Sequence, residues 1–453
     1  MNIAIFIVLF SILGIVYFLL GIYASKNIKT VSDYFLAGRN LGFTPVMFTL
    51  VATQLGGGML LGTSSEAYQV GLYGILYTFS MSLGFILLGL GFASKLQSLK
   101  VATTAELFET KYGSPTLKKV ASALSIATLC GILIGQIVAV RGLMLGLGIN
   151  NEIILILFWI GIIIYTMAGG LKAVVITDTF QVGLIILIFA GIFLYALFGE
   201  PTSFFSLSSL LKTQKTLFPP STVSFSTLLG IALAPALFSL IEQDLAQRFF
   251  AARTKRIATF AAIGASIFLI LFSLIPIYFG IKAKMLGITT PGNPLIAVIG
   301  KIAGEFILAL AACAIIAAIT STADSLLCAI SSNIAQDFEP KSLKKMNKLT
   351  FSKIVTLITG VVAIIGSYLV PQNIIEILIG SYELSVSCLL VPLLFSYFRN
   401  NLQKSAAIGS IIFGFIGFII FKLYEIPFPS IIATIGLSFI GYWVGNSVEK
   451  HRK

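Results

Sequence analysis

Histidine is almost absent: the single one, His451, lies within the last three residues. That removes histidine metal sites and histidine general bases from the body of the chain. Charge is scarce too. Asp, Glu, Lys and Arg make up 10% of 453 residues, with only 17 acids, against about 25% charged residues in an ordinary soluble domain. Tryptophan is confined to Trp159 and Trp443. The four cysteines, Cys130, Cys313, Cys328 and Cys388, sit in apolar runs and form no CxxC pair. They read as small packing residues, not as a disulfide framework. This scarcity of charge excludes a soluble enzyme and a disordered chain.

What the chain has instead is apolar mass: 57% of its residues, with a mean hydropathy of +1.02. A spanning helix takes about 20 residues, so this is enough for about 12 or 13. The runs are continuous, as in 153–167. Barrel strands alternate over about 10 residues, so the pattern predicts helices. Bounding the runs by charge, Gly/Pro or Asn gives an all-α integral membrane protein with 13 transmembrane helices: 3–23, 44–64, 71–94, 118–147, 151–169, 173–198, 226–250, 257–281, 303–336, 351–370, 373–398, 404–421 and 427–446. The run at 303–336 exceeds one crossing, so it should tilt or extend beyond the bilayer. Residues 1–23 lack a positive n-region, because Lys26 and Lys29 follow the run. A spanning helix is expected there, not a cleaved leader.

The net charge of +13 is a topology signal. With the N-terminus outside, the 30 Lys and Arg divide into 23 on the inner side and 7 on the outer side. Basic residues favour the cytoplasmic side, which predicts N-out and C-in. No basic stretch forms a domain of its own, so nucleic acid is not an expected partner. The longest loops, 24–43, 95–117, 199–225 and 337–350, are too short to bury a core.

Two spans look interrupted. In 44–64 the chain runs Thr53-Gln54-Leu55-Gly56-Gly57-Gly58. Each helical Gly costs about 1 kcal/mol relative to Ala, so the triplet marks unwinding or, equally, close packing by small residues. In 226–250 the chain carries Gly230, Pro235 and Glu242-Gln243-Asp244. Breaks in the first helix of each half point to the binding site of a transporter. The two spans are the second and the seventh, as a 5 + 5 inverted repeat demands.

Ionisable groups in hydrocarbon are functional candidates by default. Asp178, Glu242, Asp244 and Asp324 qualify. Ala318, Ser321, Thr322 and Ser325 share one helix face. Their hydroxyl and carbonyl oxygens suit a hard cation such as Na⁺, or else the hydroxyls back-bond within the helix. Asp178 reads as a helix N-terminal carboxylate, a second cation site or a gate. Asp244 is spaced to pair with Arg248 at i+4. Glu242 lies deeper, on another face, and is the better contact for a solute amine or hydroxyl.

At these residues the chain resembles the sodium/solute symporter family, which includes sodium–glucose, sodium–proline and sodium–choline carriers. The likeness covers roughly 5–445 through three motifs in order: Asp33-Tyr34-Phe35-Leu36-Ala37-Gly38-Arg39, Gly169-Gly170-Leu171 through Thr177-Asp178 and Gln181, and Ser321-Thr322-Ala323-Asp324-Ser325 with Asp337. The resemblance implies a LeuT-like 5+5 inverted repeat with flanking helices, in a single transporter domain over 1–453. The extra N-terminal helix is 3–23, the first repeat 44–198, the second 226–398, and two C-terminal helices occupy 404–446. It also implies a common Na⁺ site at Ala52, Leu55, Ala318, Ser321 and Thr322. A second cation site would take Asp178, Ser321, Asp324 and Ser325, although many members have a small polar residue where Asp324 stands. Thr53 to Gly58 and Gln243 to Arg248 look most like the choline branch. A quaternary ammonium wants an aromatic cage, best with Trp, and neither Trp lies in an interrupted helix.

The expected solute site is Thr53, Gln54, Gly57, Gln136, Phe238 and Glu242, a polar pocket with one acid that suits an amine-bearing or polyhydroxyl solute. The expected function is therefore Na⁺-coupled symport of a small polar organic solute (amino acid, amine or sugar-like) by alternating access. Na⁺ is the coupling ion, and no enzyme activity is expected. H⁺ coupling in the same fold and a non-transporting solute sensor are the alternatives, the sensor disfavoured because the chain ends soon after the last span. The expected setting is a cell membrane, of bacterial inner-membrane type, with the protein a monomer or loose homo-oligomer.

Overall fold

The computed structural model describes residues 3–25, 28, 30–198, 225–288, 292–338, 348–370, 373–424, 426 and 428–450. The loop segments 199–224 and 339–347, with Lys212, Lys215, Lys341, Lys344 and Lys345, lie outside the described residues, as do Lys26, Lys29 and the last three residues.

Every regular element among the described residues is helical. In chain order they are α1 (Ile3–Ser25), α2 (Val31–Leu36), α3 (Phe43–Gln54), α4 (Thr63–Val70), α5 (Ile75–Leu87), α6 (Ala93–Ser98), α7 (Glu106–Tyr112), α8 (Pro115–Gly146) and α9 (Glu152–Phe198). They continue as α10 (Phe225–Ser239), α11 (Gln243–Ala251), α12 (Lys255–Met285), α13 (Pro294–Ile302), α14 (Gly304–Asp337), α15 (Lys348–Gly366), α16 (Ile374–Phe398), α17 (Lys404–Leu423) and α18 (Ser430–Lys450).

The outward faces of the bundle are apolar, and its core is largely apolar too, with the ionisable and amide groups of the spans gathered inside. Ile7, Val8, Ile12, Phe18 and Leu19 of α1 and Phe260, Ile267 and Leu271 of α12 face outward, whereas Asp178, Gln181, Glu242, Asp244, Arg248 and Asp324 are buried. Hydrocarbon supplies no hydrogen bonds, so polar groups must find partners in the interior.

Eleven stretches among the described residues are long and apolar enough to cross a bilayer. The 13 expected spans do not all appear as separate long helices, for two reasons. The expected 44–64 span is broken: α3 has 12 residues, and the chain resumes in a stretch counted as one from Gly58 to Ser98, which also takes in 71–94. The expected 151–169 span gives only a short apolar helix, Glu152–Ile164, at the start of α9.

Inside α9 the backbone kinks at Gly170, with φ 52° and ψ −159°. A Cβ there would lie 2.5 Å from Tyr34 O, and Tyr34 OH donates to Met167 O at 3.2 Å. Only glycine meets both the left-handed φ and the close approach. The kink also corrects the reading of Asp178: it sits well past the first turn of the second half of α9, fully buried, so the helix dipole is not what holds it.

α14 is the central helix, buried along most of its length between α8, α9, α15 and α3. At one end of the bundle the chain before α3 meets the chain after α11. Leu41 N–H donates to Ala251 O and Arg253 N–H to Leu41 O, each at 3.0 Å. Arg39 adds bonds to Val101 O at 2.9 Å and Lys100 O at 3.1 Å.

Candidate functional site

Two helix breaks face each other beside α14. In the first, Leu55 N–H still reaches Val51 O at 2.9 Å, and Leu60 N–H returns to Gly56 O at 3.2 Å. Between them the ladder is interrupted, and a π-helical turn follows over Gly58–Gly62. Ala52 O accepts instead from Ser321 Oγ at 3.1 Å and Thr322 Oγ1 at 3.2 Å. The same hydroxyls back-bond to Ala318 O at 2.9 and 3.3 Å. Ala52, Ala318, Ser321 and Thr322 therefore converge, with buried Leu55 at the break itself. The arrangement is a cluster of carbonyl and hydroxyl oxygens bridging α3 and α14, donors suited to a hard cation.

The glycines serve packing as well as unwinding. A Cβ on Gly56 would lie 2.6 Å from Thr322 Oγ1, and one on Gly57 would lie 2.3 Å from Ala139 Cβ. Gln136 Oε1 accepts from the freed Gly57 N–H at 2.8 Å.

The second break lies between α10 and α11. Pro235 has no N–H to continue the ladder. Ala236 N–H is taken by Ser80 Oγ at 3.0 Å, Ser239 Oγ donates to Pro235 O at 2.8 Å, and Leu240 O accepts from Tyr397 OH at 2.9 Å. Glu242 occupies the N-cap of α11 with an extended backbone, φ −62° and ψ 126°. Gln54 Nε2 donates to Glu242 Oε2 at 3.4 Å, which joins the two breaks.

Thr53, Gln54, Gln136 and Glu242 thus surround one point, with Asp244, Tyr77 and Tyr382, lining a cavity of about 10 Å³. Gly57 contributes through its N–H to Gln136. Phe238 stands behind the cavity, its ring stacked on Tyr382 at 4.7 Å. Tyr77 OH and Tyr382 OH share a hydrogen bond of 3.1 Å. A vestibule of about 620 Å³ also has Tyr77 in its wall. Tyr77 thus lines both spaces, and Tyr382 lines the smaller one. Sequence reasoning missed both residues, since nothing local marks them.

The proposed second cation cluster is organised around an arginine. Arg248 is 0% exposed. Its Nη2 donates to Ser325 Oγ at 2.5 Å and its Nε to Thr49 Oγ1 at 3.3 Å, while Thr49 Oγ1 donates to Asp178 Oδ2 at 2.5 Å. Its Nη1 donates to the backbone O of Asp244 at 2.6 Å. The expected i+4 carboxylate pair is thus not formed, because the Asp244 carboxylate is turned to cap Leu245 N–H at 2.9 Å. Thr53 Oγ1 lies 3.4 Å from Ser325 Oγ. Ser321 belongs to the Ala52 cluster, and Asp324 is buried near Tyr17 of α1.

Comparison with known proteins gives the family and the fold. The model of the sodium:solute symporter family matches residues 34–414. The chain belongs to that family. It is a transmembrane symporter of the sodium-transporting kind. Among solved structures, the chain is similar to the substrate-bound outward-open state of a Na⁺-coupled sialic acid symporter, with a TM-score of 0.77 and 19% identity over 98% of this chain and 96% of that one. It is also similar to Mhp1, a nucleobase-cation-symport-1 family transporter in a closed conformation with bromovinylhydantoin bound (TM-score 0.59, 14% identity, 93% and 96% coverage). A third likeness is to MhsT in complex with L-phenylalanine (TM-score 0.55, 15% identity, 88% and 97% coverage). At these identities the three solved structures share the fold with this chain.

Proposed function

We propose that the protein couples inward Na⁺ movement to uptake of a small polar organic solute by alternating access. The observation that carries this reading is the convergence of Ala52 O, Ala318 O, Ser321 Oγ and Thr322 Oγ1 across the α3 break. Na⁺ is the co-substrate, and Leu55 O completes its set. The two hydroxyls need only rotate from donating to carbonyls to offering lone pairs. A cation held this way ties α3 to α14 and so holds the neighbouring Thr53–Gly57 segment in shape for solute. Its loss frees α3 to move against α14.

The vestibule beyond Tyr77 supports an outward-facing state, provided the N-terminus lies outside as the basic-residue asymmetry indicates. The inner side is then the end closed by the Leu41–Ala252 pairing, by Arg39, and by Thr103 Oγ1 donating to Asp337 Oδ1 at 2.8 Å. The full reading keeps 13 spans, with 44–198 and 226–398 as inverted repeats. One Na⁺ site is favoured over two, because Arg248 already places a positive charge at Ser325 and, through Thr49, at Asp178.

The test is thermal unfolding of the purified protein in NaCl against KCl at equal ionic strength. A Na⁺-specific rise in Tm is expected, since a ligand bound only by the native state stabilises it. Equal unfolding in both salts would count against the ion site.

A further inference from the structure

We propose that the solute carries an amine with at least one N–H, and that Glu242 and Asp244 are the groups that recognise it. The inference rests on reading the facing breaks as the solute site.

Both acids belong to the start of α11, Glu242 at its N-cap and Asp244 in its first turn. Both line the small cavity with Gln54, Tyr77, Gln136 and Tyr382. In transporters with broken helices, the positive N-terminal end of a half-helix can face an anionic solute group. Here two carboxylates already occupy that end and reverse its sign. The one nearby cation, Arg248, offsets only part of this charge: its hydrogen bonds go to Asp244 O, Thr49 and Ser325 and not to either carboxylate, and it stands beside Asp178 as well. A carboxylate entering the cavity would meet like charge, and an ammonium would meet opposite charge.

Hydrogen bonding points the same way. Asp244 is 0% exposed, and its Oδ2 has no hydrogen-bond partner among the described residues. Glu242 Oε2 receives the long 3.4 Å bond from Gln54, and the Glu242 and Asp244 carboxyls lie within hydrogen-bonding reach of each other. A buried pair of acids short of donors is unfavourable, so the pair is open to a donor that arrives with the solute. N–H groups supply this, and a quaternary ammonium does not.

The walls favour a cation as well. Tyr77 and Tyr382 flank the cavity, with Phe238 stacked behind Tyr382, and aromatic faces attract cations. The vestibule leading in is lined by Glu66, Glu376 and Glu383 against one base, Lys422. A cleft of one sign concentrates ligands of the other.

The test uses purified full-length protein and matched probes on one carbon skeleton: propylamine, 1,3-diaminopropane, 3-amino-1-propanol, propionate, 1-propanol and trimethylpropylammonium. Each is titrated in NaCl and in KCl while Tm is read. We expect at least one N–H-bearing amine to raise Tm in NaCl alone. Asp244→Asn should raise the half-maximal amine concentration about tenfold or more. Glu242→Gln serves as a second variant should Asp244→Asn fold poorly. Stabilisation by propionate or propanol, by the quaternary probe alone, or by none of the probes while Na⁺ itself still raises Tm, would overturn the amine assignment and leave the symporter reading standing. Absence of any Na⁺ effect would instead strike the underlying reading.

Discussion

Arg248 Nη2 lies 2.5 Å from Ser325 Oγ, so the half-helix that follows the second break is tied by a guanidinium to the long helix that carries the cation cluster. The same side chain reaches Thr49, and through it Asp178. One fully buried residue therefore links α3, α9, α11 and α14. It also provides the charge that a second cation would otherwise bring to Asp178.

Flux stoichiometry should reflect this. Parallel measurement of ²²Na⁺ and radiolabelled solute uptake in proteoliposomes is expected to give one Na⁺ per solute, with a Hill coefficient for Na⁺ near one. Two Na⁺ per solute would mean that the guanidinium does not displace the second ion. Arg248→Ala removes the positive partner of buried acids, a change that commonly costs about 3–5 kcal/mol. It should lower Tm far more than Arg248→Lys, which keeps the charge but loses the planar fork.

Thr322→Ala deletes one oxygen from the Ala52 cluster, together with the Thr322 γ-methyl group. Losing one such ligand should weaken Na⁺ binding by about 1.4 kcal/mol, which is about tenfold in the Na⁺ concentration that half-saturates uptake. Ser321→Ala should behave alike, since both hydroxyls reach Ala52 O. An unchanged Na⁺ dependence in both variants would remove the cluster from the coupling mechanism.

Gly57→Ala places a Cβ 2.3 Å from Ala139 Cβ, where neither backbone has room. Overpacking of this kind costs about 1–3 kcal/mol, so a lower Tm and lost uptake are expected. Gly14→Ala is the control: a Cβ at that position on α1 would meet no atom within 4 Å. Its Tm and uptake should match the wild type.

Tyr77→Phe and Tyr382→Phe each break the 3.1 Å bond between the two phenols. A buried neutral hydrogen bond contributes about 0.5–1.5 kcal/mol. Losing it should open the cavity to the vestibule several-fold more often. Thiol labelling of Gln54→Cys from the vestibule side should quicken by that factor in either variant, and an unchanged rate would mean that the tyrosines do not gate the cavity.

Much of this was legible in the sequence because it depends on short-range chemistry. Gly56-Gly57-Gly58 marked the α3 break, and Pro235 with the following acids marked the second. The spacing of Ala318, Ser321 and Thr322 on one helix face anticipated their shared orientation. Where local reasoning reached too far, tertiary contacts were the cause. Asp244 and Arg248 are correctly spaced for a pair, yet Arg248 turns to Thr49 and Ser325, 199 and 77 residues away along the chain. Tyr77 and Tyr382 are 305 residues apart, and neither sits in a motif.

The sequence by itself determined that the chain is a helical membrane protein with broken helices, because apolar run length, glycine, proline and the rarity of charge act within a few turns of helix. Tertiary structure alone decided which buried charges meet, that a guanidinium stands beside Asp178, and that Tyr77, in the wall of both vestibule and cavity, is bonded to Tyr382. Those outcomes depend on which helix faces pack together, and the low-dielectric interior lets a buried group settle only where a distant element brings it a partner.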